Sequence, residues 1–248
     1  MDGKLYFCKP NSMSSVLEMR YLFQALLASF LLLVSCSQQY SVDGMSSQSI
    51  LDGRMAYLRT LEDDDTHRTL DSCEVLHGQF HMSGPLDSVM CVRLFMGDDN
   101  FIPIVLEQGN VKVSIRNASV KIEGTPLNDR LYVFLTSRDS LAMLRAELPK
   151  KESEMYLEGY DQDQVLDVLV ADEMQLNKAL DKLETAFITD NFDNVLGITW
   201  FLHLCKQAQR RYGFPTTTPQ IDEIYSRSPD SFRRNREISD YMRLCEGM

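Results

Sequence analysis

Apolar and polar residues alternate with a period of two over residues 45–124, and glycine, aspartate and asparagine interrupt the alternation at short intervals. This alternation is typical of strands that bury one face, and the interrupting residues are those that favour turns. The pattern predicts about seven strands, at residues 55–58, 69–76, 80–82, 89–95, 101–106, 111–115 and 119–123. Seven short strands favour an antiparallel β-sandwich.

Two turns in this region carry their own sequence signals. His77 and Gly78 separate two predicted strands, and a residue that tolerates positive φ followed by glycine is typical of a two-residue hairpin turn. Residues 97–100, Gly-Asp-Asp-Asn, separate the next two strands. We therefore expect both segments to be turns, the first of them in a tight hairpin.

Beyond the predicted strands the apolar period lengthens to about 3.6 residues, which predicts helices. The Thr125 hydroxyl is expected to cap a first helix that starts near residue 127 and ends or kinks at Pro149. Asp193 is expected to cap a later helix that is apolar nearly all round and therefore buried. The helices after the first are predicted at residues 164–187, 194–208, 218–225 and 229–244, and the one at 194–208 is the helix that Asp193 is expected to cap. The predicted fold class is α+β, with a sandwich at 45–124 followed by an all-helical region at 125–248.

The start of the chain has the organisation of an export signal. No charged residue occurs between residues 21 and 34, and such a run matches the apolar core of a secretory signal, whereas a membrane-spanning helix needs about 20 apolar residues. The alternative, a buried apolar helix with an incidental cysteine, is opposed by the lack of a polar face at 26–34. The run ends in a motif that resembles the cleavage and lipidation site of bacterial lipoproteins, Leu33, Val34, Ser35 and Cys36.

This motif predicts a signal peptide at residues 1–35, a lipid on Cys36 and a lipid-anchored linker at 36–44. Two or more acyl chains hold a protein on a bilayer for long times, so the membrane is the first predicted partner. No acidic cluster follows Cys36, which favours the periplasmic face of an outer membrane. Met13 and Met19 are alternative starts, because the segment before them is long and mixed in charge for a signal.

The charge balance of the chain restricts its partners. The formal net charge is −11 at pH 7. Residues 1–35 hold three basic and two acidic residues, so the balance without them is −12. A negative charge of this size repels nucleic acid and anionic lipid headgroups. Nucleic acid is therefore not expected among the partners.

Four cysteines follow Cys36, at positions 73, 91, 205 and 245. Their spacing contains no C-x-x-C pair, so it predicts neither a dithiol redox site nor a zinc site. Cys73 and Cys91 lie in predicted neighbouring strands and are the candidates for a disulfide bridge or a thiol role. Buried apolar thiols are the alternative interpretation.

Other candidate groups favour structure over chemistry. His77 and His81 are four residues apart, but the turn between them and the lack of a third ligand argue against a metal site. The three aspartates at 63–65 lack the alternating ligands and glycine of an EF-hand, so a solvated loop is the simpler interpretation. His203 lies in an almost wholly apolar helix, where a hydrogen-bonded structural histidine is expected. Since no G-x-S-x-G motif occurs either, no catalytic residue, metal or cofactor is expected.

A set of short motifs follows in order along the chain: Asp71-Ser72, Gly78-x-Phe80, Leu106-Glu107-x-Gly109-Asn110 and Glu123-Gly124-Thr125-Pro126-Leu127-Asn128. Over residues 40–138 they resemble the N-terminal domain of exported thiol-disulfide interchange lipoproteins, domain of unknown function 4369. The resemblance implies a β-sandwich in front, helices behind and a tether to a membrane. In the longer relatives a thioredoxin-like domain with C-x-x-C follows. This sequence contains no such motif, so the redox activity is not implied.

These observations favour a lipid-anchored cell-envelope protein that is a non-catalytic binding or scaffold module with an envelope protein as its partner. Edge strands and loops of a sandwich serve recognition, and the acidic loop at 62–65 is the best candidate for a cation-dependent or basic partner. The main alternative is an accessory of thiol-disulfide exchange that presents or senses substrates through Cys73 and Cys91. A relative that retains only the fold and the anchor is a third.

Overall fold

The computed structural model describes residues 38–61, 67–97, 101–116 and 119–247. Eight strands lie within these residues: β1 Gln39–Ser46, β2 Met55–Leu61, β3 His67–Glu74, β4 Gln79–Pro85, β5 Met90–Met96, β6 Phe101–Leu106, β7 Gly109–Arg116 and β8 Ser119–Glu123. Seven α-helices follow in the same described residues: α1 Pro126–Ala146, α2 Leu148–Leu157, α3 Gln162–Thr189, α4 Val195–Tyr212, α5 Pro219–Arg227, α6 Asp230–Arg233 and α7 Arg236–Glu246. This order confirms the predicted α+β class, with strands first and helices after them.

The strands form two four-stranded sheets that pack on each other. One sheet has the order β4-β1-β7-β8 and the other has the order β3-β2-β5-β6. The pairing of β1 with β7 is parallel, and the other described pairings are antiparallel. Alternate side chains of both sheets meet in one apolar core, which includes Val42, Leu58, Met82, Leu94, Ile104 and Val113. The predicted period-two pattern therefore corresponds to the inner faces of a sandwich.

The expectation of a linker at residues 36–44 is wrong from residue 39 onward, because β1 lies between two other strands of its sheet. Gly44 and Ser46 take two of the four buried positions of β1. Glycine fits at position 44 because a Cβ there would lie 1.8 Å from Cζ of Phe80. Small residues at inward positions remove the apolar alternation by which a strand is recognised, so the sequence pattern did not predict β1.

The turn at His77 and Gly78 has the predicted conformation but joins strands of different sheets. Both residues have positive φ, 53° and 72°. Leu76 and Gln79 exchange backbone hydrogen bonds of 2.9 and 3.0 Å across them. β3 and β4, on either side, pair with β2 and β1 rather than with each other. The turn is therefore a corner between the two sheets and not the tip of a hairpin.

The predicted helices occur at the expected places and differ at their ends. α1 ends at Ala146, and Pro149 lies in the first turn of α2, where a missing N–H is tolerated. The cap of α4 is Asn194, whose side chain accepts a hydrogen bond from the Leu196 N–H at 3.0 Å. The expectation that Asp193 caps this helix is wrong by one position, because two adjacent residues both have capping side chains.

The last predicted helix, at 229–244, is interrupted. The structure has α6 and then α7 in its place. The Asn235 side chain accepts hydrogen bonds from the backbone N–H groups of Glu237 and Ile238, at 3.1 and 3.3 Å. Because an asparagine in this position starts a helix, the chain divides into two helices here.

Two further groups of buried apolar side chains hold the helices. One lies among α3, α4, α5, α6 and α7 and includes Ile188, Phe201, Ile221, Phe232 and Ile238. The other joins β6 to α1, α3 and α4 and consists of Val105, Leu131, Phe134, Phe187 and Leu196. Phe134 and Phe187 stack in it with ring centroids 3.8 Å apart. Direct apolar contact therefore connects the sandwich to the helical region.

Candidate functional site

A buried polar joint connects the sandwich to the first helix. Asn128, in the first turn of α1, is fully buried. Its Oδ1 accepts a hydrogen bond from the Val105 N–H at 2.9 Å, and its Nδ2 donates to the Val105 carbonyl at 2.7 Å. The side-chain amide thus bonds to β6 as a neighbouring strand would. This pair of hydrogen bonds ties α1 to the edge of the sheet.

The cap of α1 belongs to the same polar joint. The Glu107 carboxylate accepts hydrogen bonds from the N–H groups of Leu127 and Asn128, at 2.8 and 3.2 Å. The expectation that the Thr125 hydroxyl caps α1 is wrong, because this hydroxyl accepts a hydrogen bond from Asn128 Nδ2 at 2.8 Å. A carboxylate also interacts favourably with the positive end of the helix dipole. The motifs around Glu107 and Asn128 that carry the family resemblance are therefore structural.

Cys73 and Cys91 lie in the same sheet but on opposite faces. Cys73 packs against the sandwich core, whereas Cys91 packs with the apolar group that contacts the helices. In register, Cys73 pairs with Ala56, which pairs with Met96, five residues from Cys91 along β5. Both thiols are free, and the geometry does not bring them together for a disulfide bridge.

The cysteines of the described residues are free thiols, and their environments hold them in the protonated form. Burial is the largest cause in each case. It raises the pKa of Cys91 to about 11 and also raises the pKa of Cys73. Burial likewise raises the pKa values of Cys205 and Cys245. Because the thiolate is the nucleophile in thiol-disulfide exchange, these raised values oppose a thiol role.

The proposed anchor motif, Leu33, Val34, Ser35 and Cys36, and the acidic loop at 62–65 lie outside the described residues. The lipid site and the loop interaction remain predictions. In the described part of the chain, no helix is both long enough and apolar enough to cross a membrane. Over the same part, no three His, Cys, Asp or Glu side chains come together as ligands for a metal ion.

Asp43 links two neighbouring strands on the outer face of its sheet. Its Oδ1 lies 2.6 Å from Nδ1 of His81, and its Oδ2 accepts a hydrogen bond from Nδ2 of Asn110 at 2.7 Å. The hydrogen bond with His81 is the largest cause of the lowered pKa of Asp43. Asp43 and His81 are exposed, so solvent screens their attraction. The group supports strand pairing, while His77 lies apart from it at the corner between the sheets.

A group of polar and charged side chains lies between α1, α3 and α4, with Glu184 buried and Arg138 partly exposed. Arg138 Nε lies 3.3 Å from Oε1 of the buried Glu184, and its guanidinium lies 4.9 Å from the ring centroid of Trp200. Burial raises the pKa of Glu184. Burial, with nearby arginines, lowers the pKa of His203 to about 4. Neutral His203 lies 2.8 Å from Nε2 of Gln207, which agrees with its expected structural role.

Residues 141–180 form a helical arm, which consists of the end of α1, the whole of α2 and the N-terminal part of α3. Its buried apolar side chains are Met155 and Val165, so little of the arm is core. Three exposed apolar side chains follow one another at four-residue intervals on α3, and residues four apart lie on one side of a helix. We term them the α3 face: Leu166, 57% exposed, Val170, 47%, and Met174, 68%.

The sequence pattern did not predict the α3 face, although it contains the signal. Val165 and Leu169 belong to the inward side of α3, and Leu166 and Val170 directly follow them. Two apolar stripes therefore run side by side along the start of the helix. A helix that is apolar on more than one side is usually covered on more than one side. Assignment of a single amphipathic face left the second stripe unrecognised.

A groove lies between α1, α2 and α3. Its volume is about 520 Å³, and Leu141, Leu144 and Leu176 contribute to its apolar lining. Lys151 and Asp172 form an ion pair of 2.5 Å at its rim. The arm therefore presents apolar surface in this groove as well as on the α3 face.

Comparison with known proteins identifies the sandwich. Residues 40–131 match the model of the family described as a domain of unknown function, DUF4369. Neither the curated proteins nor the solved structures contain a match to the chain. The matched residues run from β1 through the first turns of α1, so they include both sheets and the polar joint. The part of the chain that is similar to DUF4369 is therefore the eight-stranded sandwich with the start of α1.

Proposed function

We propose that this chain is a lipid-anchored protein of the cell envelope and that its folded part is a non-catalytic binding or scaffold module. The predicted lipid on Cys36 supplies the anchor. The polar joint holds the first turn of α1 to the sandwich, and α1 leads from there to the helical arm. Support for binding rather than catalysis comes from the raised thiol pKa values and from the ion pair that engages Glu184.

The single observation that carries the binding role is the α3 face. Scattered exposed apolar side chains are ordinary, but contiguous ones mark interaction surfaces. Leu166, Val170 and Met174 form one row on a helix whose inward side faces α1 and α2. A partner that covers this row would bury it as the chain's own helices bury Phe187 and Ile188 at the other end of α3.

The alternative, an accessory role in thiol-disulfide exchange, needs an accessible thiolate. Alkylation of the folded chain and of the urea-unfolded chain at neutral pH separates the two functions. We expect Cys73 and Cys91 to react at least about tenfold more slowly in the folded chain, because burial disfavours their thiolates. Equal rates in the two states would favour exchange over binding.

Metabolic labelling with a fatty-acid probe tests the anchor. We expect the natural chain to take up the label and to fractionate with membranes. The Cys36→Ala variant should lose the label, while the matched Cys73→Ala variant should keep it. An unlabelled natural chain, or a Cys36→Ala variant that remains labelled, would contradict the proposed anchor.

A further inference from the structure

One side of α3 is covered at its C-terminal end and open at its N-terminal end. Ile188 lies on this side and is fully buried in the helical core. Steps of seven residues, about two turns each, lead from Ile188 through Asp181 to Met174. Gln220 of α5 donates a hydrogen bond to the Asp181 carbonyl at 3.1 Å, so the chain's own helices reach this far. Beyond that point the same side continues with Asn177, an exposed residue that accepts a hydrogen bond from Arg145 of α1, and then with the exposed α3 face.

We propose that the α3 face docks a basic amphipathic helix from a partner protein. The inference rests on the binding function proposed above and names the class of its partner. Amphipathic helices bind by laying an apolar stripe on an apolar surface, with contacts at every third or fourth residue. The four-residue spacing of Leu166, Val170 and Met174 matches this repeat, and the flexible methionine adapts to differing side chains.

Charges beside the α3 face select a basic partner. Asp163, Asp167 and Glu173 lie within one turn of the row, and Lys178 and the guanidinium of Arg145, which contacts Asn177, lie beyond its C-terminal end. The whole helical arm holds nine Asp and Glu against four Lys and Arg. At physiological ionic strength charges interact over about 8 Å, so these carboxylates act on a helix docked against the row. Lysine or arginine beside the partner's apolar stripe would complement them.

A second copy of this chain fits the α3 face poorly. An antiparallel pairing of two α3 helices about Val170 would place Asp167 of each copy opposite Glu173 of the other. Like charges in this arrangement repel each other. An anionic bilayer meets the same negative excess. A basic helix avoids both conflicts.

Binding of three synthetic helical peptides to the full chain tests the proposal. The first peptide has leucine at every third or fourth position and lysine between them. The second replaces each lysine by glutamate, and the third has the composition of the first in an order without a stripe. By fluorescence anisotropy we expect a Kd for the first peptide at least about tenfold below those of the others. Equal affinity for the lysine and glutamate peptides would overturn the proposal.

Variants locate the binding. The L166Q/V170Q/M174Q variant removes the row with residues of good helix propensity, and the matched M45Q/V120Q/L244Q variant replaces three exposed apolar residues elsewhere. We expect about tenfold weaker binding of the lysine peptide in the first and natural affinity in the second, both with the natural circular dichroism spectrum. Natural affinity in the first variant would overturn the proposal.

A charge variant gives an independent readout. D163N/D167N/E173Q should weaken the lysine peptide about threefold and reduce the salt dependence of its Kd, because it leaves the row intact and removes the flanking charges. An unchanged salt dependence would contradict the selection of a basic partner. This result does not depend on the row variant.

Other occupants and the anchor are tested separately. Sedimentation of the full chain with Cys36→Ala, and its flotation with vesicles of anionic phospholipid, should not change when L166Q/V170Q/M174Q is added. A dimer or vesicle binding that L166Q/V170Q/M174Q abolishes would overturn the basic helix and leave a binding function in place. Absence of the fatty-acid label from the natural chain would contradict the anchor and would leave the peptide result unaffected.

Discussion

The two halves of α3 both carry apolar side chains and have different surroundings. In the C-terminal half, Phe187 packs with α1 and Ile188 is buried among the later helices. In the N-terminal half, Leu166 and Val170 are exposed. The fold therefore buries the apolar side chains at the C-terminal end of the helix and leaves the α3 face at its N-terminal end open. We infer that one half stabilises the chain and that the other half is for a partner.

The test with the largest expected change in stability compares two alanine substitutions on the same helix. Phe187→Ala should lower the free energy of unfolding by about 4 kcal/mol, because it removes the ring stacked on Phe134 and leaves a cavity. Val170→Ala should change it by less than about 0.5 kcal/mol, because the side chain is exposed. Urea unfolding of the full chain measures both. Similar losses for the two variants would remove the distinction between the halves.

A second substitution breaks the connection between sandwich and helices. Asn128→Ala should cost about 3 kcal/mol, because the N–H and carbonyl of Val105 lose their partner in a buried site. Asn177→Ala is the matched control on the arm, where the hydrogen bond from Arg145 is exposed, and it should cost less than about 0.5 kcal/mol. A cost for Asn128→Ala no larger than that of the control would show that the polar joint does not hold α1.

The pH dependence of stability tests the helices that cover the C-terminal half of α3, through His203 of α4. Folded His203 has a pKa of about 4, below its ordinary value of 6.5, so the unfolded state binds the proton more tightly. Its contribution is fully present above about pH 6.5 and is lost as the pH falls towards 4. After discounting for partial exposure, we expect a loss of about 2 kcal/mol between pH 7 and pH 4.

Comparison with His203→Gln isolates this contribution. Glu184 acts in the opposite direction. Because its pKa is raised in the folded state, its ionised form destabilises the fold, and this destabilisation diminishes as the pH falls. The variant retains Glu184 and should show a smaller acid loss than the natural chain. Urea midpoints at pH 7 and pH 4 give the four values needed. An equal acid loss in both proteins would exclude His203 as the cause.

Periodicity predicted those elements whose buried side is apolar throughout. β6 has the predicted bounds, and α3 extends the predicted helix by two residues at each end. β1 was missed because Gly44 and Ser46 fill inward positions, and its glycine is explained by the ring of Phe80, which lies far along the sequence. The local sequence pattern does not indicate which strands pair with each other. The position of His77 and Gly78 at a corner between two sheets was therefore also not predictable.

The site shows the same limit. Thr125 has a capping side chain in the expected place, yet Glu107 caps α1 from a loop that only the fold brings near. Cys73 and Cys91 likewise lie apart because of the strand register and because their side chains point to opposite faces of the sheet. Their spacing in the sequence does not determine either feature. The α3 face is the converse case, because its residues were visible in sequence but their exposure depends on where the other helices end.

Photo-crosslinking in cells tests the central claim most directly. A photoreactive residue at Val170 should form an adduct with another protein, and the crosslinked partner peptide should carry net positive charge and an apolar residue at every third or fourth position. The same residue at Val120, an exposed valine of the sandwich, should form no such adduct. An adduct of equal yield at both positions, or none at Val170, would contradict the assignment of the α3 face to a partner.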